Sequence, residues 1–272
     1  MTDLPILGAA LNVDTLEAHR DLMLEKPRDL ELQDFVEAEV LNGDWQPLAD
    51  RARALLDGHQ GRVGIHGPFW GFSVDTMDVD VRQIVKKRLW QGLDVCEALG
   101  GTHMVVHSPY STWDHNNLDN YDSARAQKIE LCHLAMKDAV RRAEDIGCEL
   151  VIENIEDKDP YARIELAESF GSEAVRISVD TGHAHYAHGS TGAPPVDYFI
   201  KAAGNRLRHI HLQDADGYAD RHWTLGEGTI NWHSVFDALG RLDSNPRLIV
   251  ELRDHDGLPD SIANMAALGL AQ

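Results

Sequence analysis

Short apolar runs and longer amphipathic stripes alternate along the chain. Eight strand-like runs stand out, at residues 6–11, 29–35, 62–66, 103–107, 149–153, 175–180, 207–212 and 248–251. Helical stripes lie between them. Val81, Ile84, Val85, Leu89, Leu93, Cys96 and Leu99 recur at helical spacing and stop at Gly100-Gly101. Ile129, Cys132, Met136, Ala139, Val140, Ala143 and Ile146 do the same and stop at Gly147. Asp159-Pro160 reads as a cap followed by proline at the first helical position, and Asn231 as the cap of a helix starting near Trp232. Asp44 and Gly58 bracket a shorter helix. Strands that alternate with helices predict parallel βαβ units. Eight units in 272 residues predict one domain over residues 1–272, a single (β/α)8 TIM barrel rather than an open sheet.

The longest polar excursions follow strands 3 and 4, at residues 67–80 and 108–123, as expected of loops on the catalytic face of a barrel. Residues 189–195 form the one Gly/Pro-rich stretch and read as a loop.

What each strand ends in changes the picture. Strand 3 ends in His66, strand 4 in His107, strand 5 in Glu153 and strand 6 in Asp180, with His183 three residues on. Strand 7 ends near His211, and its loop carries Asp220 and His222; strand 8 ends in Glu251. In a barrel these ends converge on one mouth. A single histidine after an apolar run is usually a solvated or hydrogen-bonded loop residue, and a lone carboxylate there is often a helix cap. Six consecutive strand ends of ligand type are not explained that way. Four carboxylates and five imidazoles in one cavity call for a divalent cation. Mixed imidazole and carboxylate ligation without thiolate suits zinc, manganese, iron or cobalt, and fits magnesium less well. Nine ligands exceed the needs of one ion, so the set fits one to three ions per chain, or one ion with spare histidines on the substrate. His185 and His188 read as loop residues after His183, and His103 and His209 as packing within strands. Trp70, Phe72, Trp113 and Trp223 lie in or near the mouth loops, where Trp70 and Trp113 could stack on a sugar face.

Composition narrows the partners. The formal net charge is −20, which disfavours nucleic acid. No apolar run approaches the ~20 residues of a membrane span, and the N-terminal stretch lacks a basic region followed by an apolar core. Cys96, Cys132 and Cys148, an odd set without CxxC spacing, read as free buried thiols in a reducing compartment, so the expected location is cytoplasmic.

The segments IHGPF, VVH, IEN, VDTGHA, HIHLQDADGYADRHWTLGEGTINW and IVELR, in that order, resemble the xylose isomerase-like TIM-barrel superfamily. The resemblance covers residues 62–254. It implies a small-molecule sugar or sugar phosphate as partner and leaves the oligomeric state open. From the epimerase-like members it implies one cation on Glu153, Asp180, His211 and Glu251, with His183 near substrate. From the endonuclease IV members it implies a trinuclear zinc set of His66, His107, Glu153, Asp180, His183, His211, Asp220, His222 and Glu251. The strong acidity and the lack of an evident basic face speak against DNA. The leading expectation is therefore a divalent-metal-dependent isomerase or epimerase. Glu153 and Glu251 would exchange the proton next to a polarised carbonyl, and His183 and Arg221 would orient hydroxyls. The alternative is a multinuclear phosphoesterase. Glu227 in the LGEG turn reads as fixing the loop.

Overall fold

A computed structural model describes residues 4–272. Eight parallel strands close into a barrel in sequence order: β1 Gly8–Leu11, β2 Leu30–Leu32, β3 Val63–His66, β4 His103–His107, β5 Glu149–Glu153, β6 Val175–Asp180, β7 Leu207–Leu212 and β8 Arg247–Val250. The closing register pairs Gly8 with Ile249 and Ala9 with Val250. The helices are α1 Val13–Ala18, α2 Arg20–Leu24, α3 Ala38–Asn42, α4 Gln46–Leu55, α5 Val79–Leu99, α6 Thr112–Asn117, α7 Ala124–Ile146, α8 Pro160–Ser169, α9 Thr181–Thr191, α10 Val196–Ala203, α11 Trp232–Leu239 and α12 Leu258–Ala267. All eight expected strands are present, so the chain is a (β/α)8 barrel.

The expected stop and start signals act as their chemistry predicts. Gly100 and Gly147 end α5 and α7 with φ of 65° and 71°, where a side chain would be strained. Asp159 and Asn231 cap α8 and α11 by accepting backbone N–H bonds from Tyr161 and Ser234.

Three local expectations change. Strand 2 is shorter than residues 29–35, because Asp34 leaves the sheet to accept the backbone N–H of Val13 at 2.9 Å. Asp44 does not cap α4; Trp45 holds that position without a side-chain bond. His185 and His188 lie on α9, not in a loop, because Ala184 and Ala187 recur at helical spacing and are buried. That helix continues to Thr191, three residues into the expected loop.

The apolar core lies between the strands and the helix ring, but the barrel interior is polar. His103 and His209 are fully buried and face inward rather than packing in the outer core, because both touch the buried Glu31 of β2. Arg247 plugs the lower end, reaching Glu149 at 2.8 Å and the Thr102 hydroxyl at 2.9 Å. All three cysteines are free and buried. Among the described residues no helix is long and apolar enough to cross a membrane.

Gly64 makes the polar interior possible. A Cβ at this position would fall 2.1 Å from the His103 ring. Gly64→Ala is therefore expected to destabilise the protein by about 1–3 kcal/mol through overpacking. Urea titration checks this, and an unchanged midpoint would contradict the packing described.

Candidate metal centre

The upper end of the barrel opens into a cavity of about 590 Å³. His66, His107, Glu153, His183, Asp220, His222 and Glu251 line it, and Asp180 and His211 lie buried beneath. Three ligand-type groups form there: Glu153, Asp180, His211 and Glu251; His66, His107 and Glu153; and His183, Asp220 and His222. Within each group one donor atom per residue lies within 4.8 Å of the others. Glu153 belongs to two groups.

Strand ends supply the central group. His211 Nδ1 contacts Glu153 Oε1 and lies 3.5 Å from Glu251 Oε2. Asp180 ends β6 and also caps α9, accepting the His183 backbone N–H at 2.6 Å. The cap and ligand readings of this carboxylate are thus compatible. Asn154 ties the ends of β5 and β6 together, donating to Asp180 O at 3.0 Å and accepting from its N–H at 2.9 Å.

The flanking imidazoles share one arrangement. Nδ1 of His66 bonds Gly67 O at 2.8 Å, that of His183 bonds Asn154 O at 2.9 Å, and that of His222 faces Glu251 O at 3.3 Å. A carbonyl only accepts, so each Nδ1 carries a proton, and Nε2 is the nitrogen turned toward the cavity. These Nε2 atoms converge. His66 Nε2 lies 3.3 Å from His107 Nε2 and 3.8 Å from Glu153 Oε2. His222 Nε2 lies 3.1 Å and His183 Nε2 3.5 Å from the Asp220 carboxylate.

The electrostatics are those of a site short of positive charge. Among the described residues, the salt-bridge partners of Glu153 and Glu251 are histidines, and so is that of Asp180. Burial, reinforced by the Glu153 and Glu251 charges and partly offset by His183, pushes the Asp180 carboxyl up to about 6. Burial opposes charge on His211, but Glu251, Glu31 and Glu153 override it and hold the imidazole well above its ordinary range. His222 is likewise held at about 9 against burial, by its bond to Asp220 and the charges of Glu251 and Asp180. Burial and the neighbouring His66 push His107 down to about 3. Protons on His211 and His222 thus supply charge where the carboxylates cluster, and a donor set of this kind fits a divalent cation.

The segment after β7 places Asp220 and His222. An antiparallel bridge between Asp214 and Trp223 closes it. Asp214, fully buried, accepts from Gly226 N at 2.8 Å, Trp232 Nε1 at 2.9 Å and Ile230 N at 3.3 Å. Gly228 is required because a Cβ there would meet Asp214 Oδ1 at 2.2 Å. Asp214 therefore fixes the LGEG turn, while Glu227 is exposed and stands outside the side-chain bonds of the turn. His222 sits at φ 53° and donates its backbone N–H to Gln213 Oε1 at 2.7 Å. Gln213 Nε2 in turn reaches Asp220 at 2.8 Å and Asp180 at 3.3 Å. Gly182 clears its space, since a Cβ would fall 2.2 Å from the Gln213 amide.

Trp70 lines the cavity and is 60% exposed. Arg221 and Trp113 are not brought to it. The Arg221 guanidinium is held by Asp216 at 2.8 Å and lies over the rings of Tyr218 and Trp223. Trp113 stands on α6, exposed. The sequence pattern missed Gln33, which donates to Glu251 Oε1 at 2.6 Å, and offered no context that raised Arg253 or His255, which line the cavity. It also missed Glu31, Asn154 and Gln213. The available signals were ELR after strand 8 and HLQ at the end of strand 7.

A family model described as xylose isomerase-like TIM barrel matches residues 13–268. The uncharacterized protein MJ1311 of Methanocaldococcus jannaschii is 25% identical over 210 residues, covering 72% of this chain and 66% of that protein. A D-tagatose 3-epimerase-like protein superposes with a TM-score of 0.76 at 19% identity, over 96% of each chain. The TTHB071 protein of Thermus thermophilus, described as soaked with zinc chloride, has a TM-score of 0.72 at 24% identity, over 98% of this chain and 99% of that one.

Asp214→Ala strands several buried donors at once, each costing about 1–3 kcal/mol. The expected outcome is a loss of about 3 kcal/mol or more and new protease cleavage between residues 214 and 231. Denaturant titration with limited proteolysis checks it; wild-type stability and wild-type protease resistance would contradict this role for Asp214.

Proposed function

The chain belongs to the xylose isomerase-like TIM-barrel family, and from that premise we propose that it is a divalent-metal-dependent isomerase or epimerase of a sugar or sugar phosphate. The observation that carries this reading is the buried group of Glu153, Asp180, His211 and Glu251 beneath a small-molecule-sized cavity. The epimerase-like neighbour agrees with it at the level of fold.

Glu153, Asp180, His211 and Glu251 would hold the ion, which when bound supplies Lewis-acid polarisation of a carbonyl and its adjacent hydroxyl. Two carboxylates then divide the proton work: one of Glu153 and Glu251 takes the proton from the carbon next to the carbonyl, and the other gives one back. Such acid–base assistance is typically worth about 10²–10⁴-fold. His211 and Gln33 prepare the two differently. The His211 charge and hydrogen bond hold the Glu153 carboxyl well below its ordinary range, although burial opposes this. Gln33 donates to Glu251 Oε1, which leaves Oε2 toward the centre. His183 stands at the cavity wall, where Nε2, 3.5 Å from the Asp220 carboxylate, would meet a substrate hydroxyl. Trp70 offers an apolar face for a sugar ring.

A second reading is favoured by one specific observation. The flanking groups of His66, His107 and Glu153, and of His183, Asp220 and His222, each present donors suited to a further ion. A two- or three-ion centre would suit phosphoester hydrolysis.

Metal content per chain separates the two. The isomerase reading expects one tightly held ion, retained in His66→Ala and His222→Ala, and a loss of about 10²-fold or more in turnover for Glu153→Gln. Two or three ions lost with either histidine, together with chelator-sensitive cleavage of a phosphoester, would replace it with the second reading.

A further inference from the structure

Glu31 is fully buried inside the barrel, below the metal centre. Three imidazoles meet its carboxylate. His211 Nε2 lies 2.9 Å from Oε1, and His209 Nε2 and His103 Nε2 lie 3.0 Å and 3.3 Å from Oε2. Among the described residues no lysine or arginine forms an ion pair with it. His209 is itself oriented, because its Nδ1 bonds the Ser178 hydroxyl at 2.8 Å. The Gly64 position leaves room for the His103 ring.

The orientation of His211 shows what this carboxylate accomplishes. His66, His183 and His222 each place Nδ1 against a main-chain carbonyl and present Nε2. His211 is turned the other way: Nδ1 faces Glu153 and Glu251, and Nε2 points down into the barrel. It sits within β7, paired on both sides with Asp180 and Ile249, where main-chain carbonyls are committed to the ladder. A side-chain acceptor must therefore take the Nε2 proton. We propose that Glu31 is a positioning residue that accepts the His211 Nε2–H bond and thereby fixes the tautomer whose Nδ1 lone pair serves the metal centre, with His209 and His103 holding Glu31 in place. The inference rests on the metal-site reading of the proposed function. A carboxylate behind a ligating imidazole fixes its ring and strengthens it as a donor, and its loss typically weakens metal binding about 10–100-fold.

The test uses the full chain stripped of metal, as wild type and as Glu31→Gln, titrated with zinc and then manganese against a chromophoric chelator. The expected result is a Kd about tenfold or more higher in the folded variant, with the same number of ions at saturation. In parallel, ¹⁵N–¹H long-range spectra of histidine-labelled wild-type protein are expected to show His211 protonated at Nε2 and zinc-bound at Nδ1. That spectrum decides the matter even where the variant does not fold. A Kd within about twofold of wild type, or His211 protonated at Nδ1, overturns the inference. Loss of one whole ion with the remaining affinity unchanged also overturns it, because Glu31, His103 and His209 would then be a site of their own. Wild-type protein that binds neither ion overturns both the inference and the reading beneath it.

Discussion

The site depends on one electrostatic constraint. Glu153, Asp180 and Glu251 are buried where their strands end, with imidazoles rather than lysine or arginine as their salt-bridge partners. Isolated carboxylates in such a place are costly. Imidazoles held above their ordinary range, His211 and His222 foremost, offset part of that cost. A bound ion of charge two would meet the same need, so ligand chemistry and charge balance point the same way. Much of the fold around the cavity serves to keep these acids together despite their repulsion.

Neutral amides do most of that work. Asn154 clamps β5 to β6, Gln213 spans Asp180, Asp220 and the His222 main chain, and Gln33 holds Glu251. An amide can donate to a carboxylate without adding charge of its own, so it orients an acid while leaving the demand for a cation in place. Arginines stand one layer further back. Arg163 is buried behind the site, bonding Ile152 O at 2.8 Å with Asp157 beside it. Arg221, expected at the substrate, is taken up by Asp216 in the loop.

The strand order and the nine ligand-type residues were legible because barrel closure turns a one-dimensional pattern, a His, Asp or Glu at each strand end, into a shared mouth. Glu31 was not legible. It lies between Leu30 and Leu32, and in a half-buried sheet that alternation would turn it to solvent; in a closed barrel the other face is an interior. His103 and His209 escaped for the same reason, since their function depends on a carboxylate supplied by a strand distant in sequence. Gln33, Asn154 and Gln213 carry no charge, so their roles emerge only from hydrogen-bond geometry. The length of α9 was hidden by its polar composition, and its boundary was decided by packing of Ala184 and Ala187.

Glu153 carries the choice between the two chemistries. Its Oε1 meets His211, and its Oε2 lies 3.6 Å from His107 Nε2 and 3.8 Å from His66 Nε2. Were the central group alone to hold an ion, Glu153 would remain available to take or return a proton. Were His66, His107 and Glu153 to hold a second ion, Glu153 would serve both groups as a ligand and would no longer be available as a base. Glu251 could not replace it alone, because proton exchange at a stereocentre needs a giver as well as a taker. On the proposed reading, the number of ions held would decide between the two chemistries, and it would do so through Glu153, the residue that both groups share.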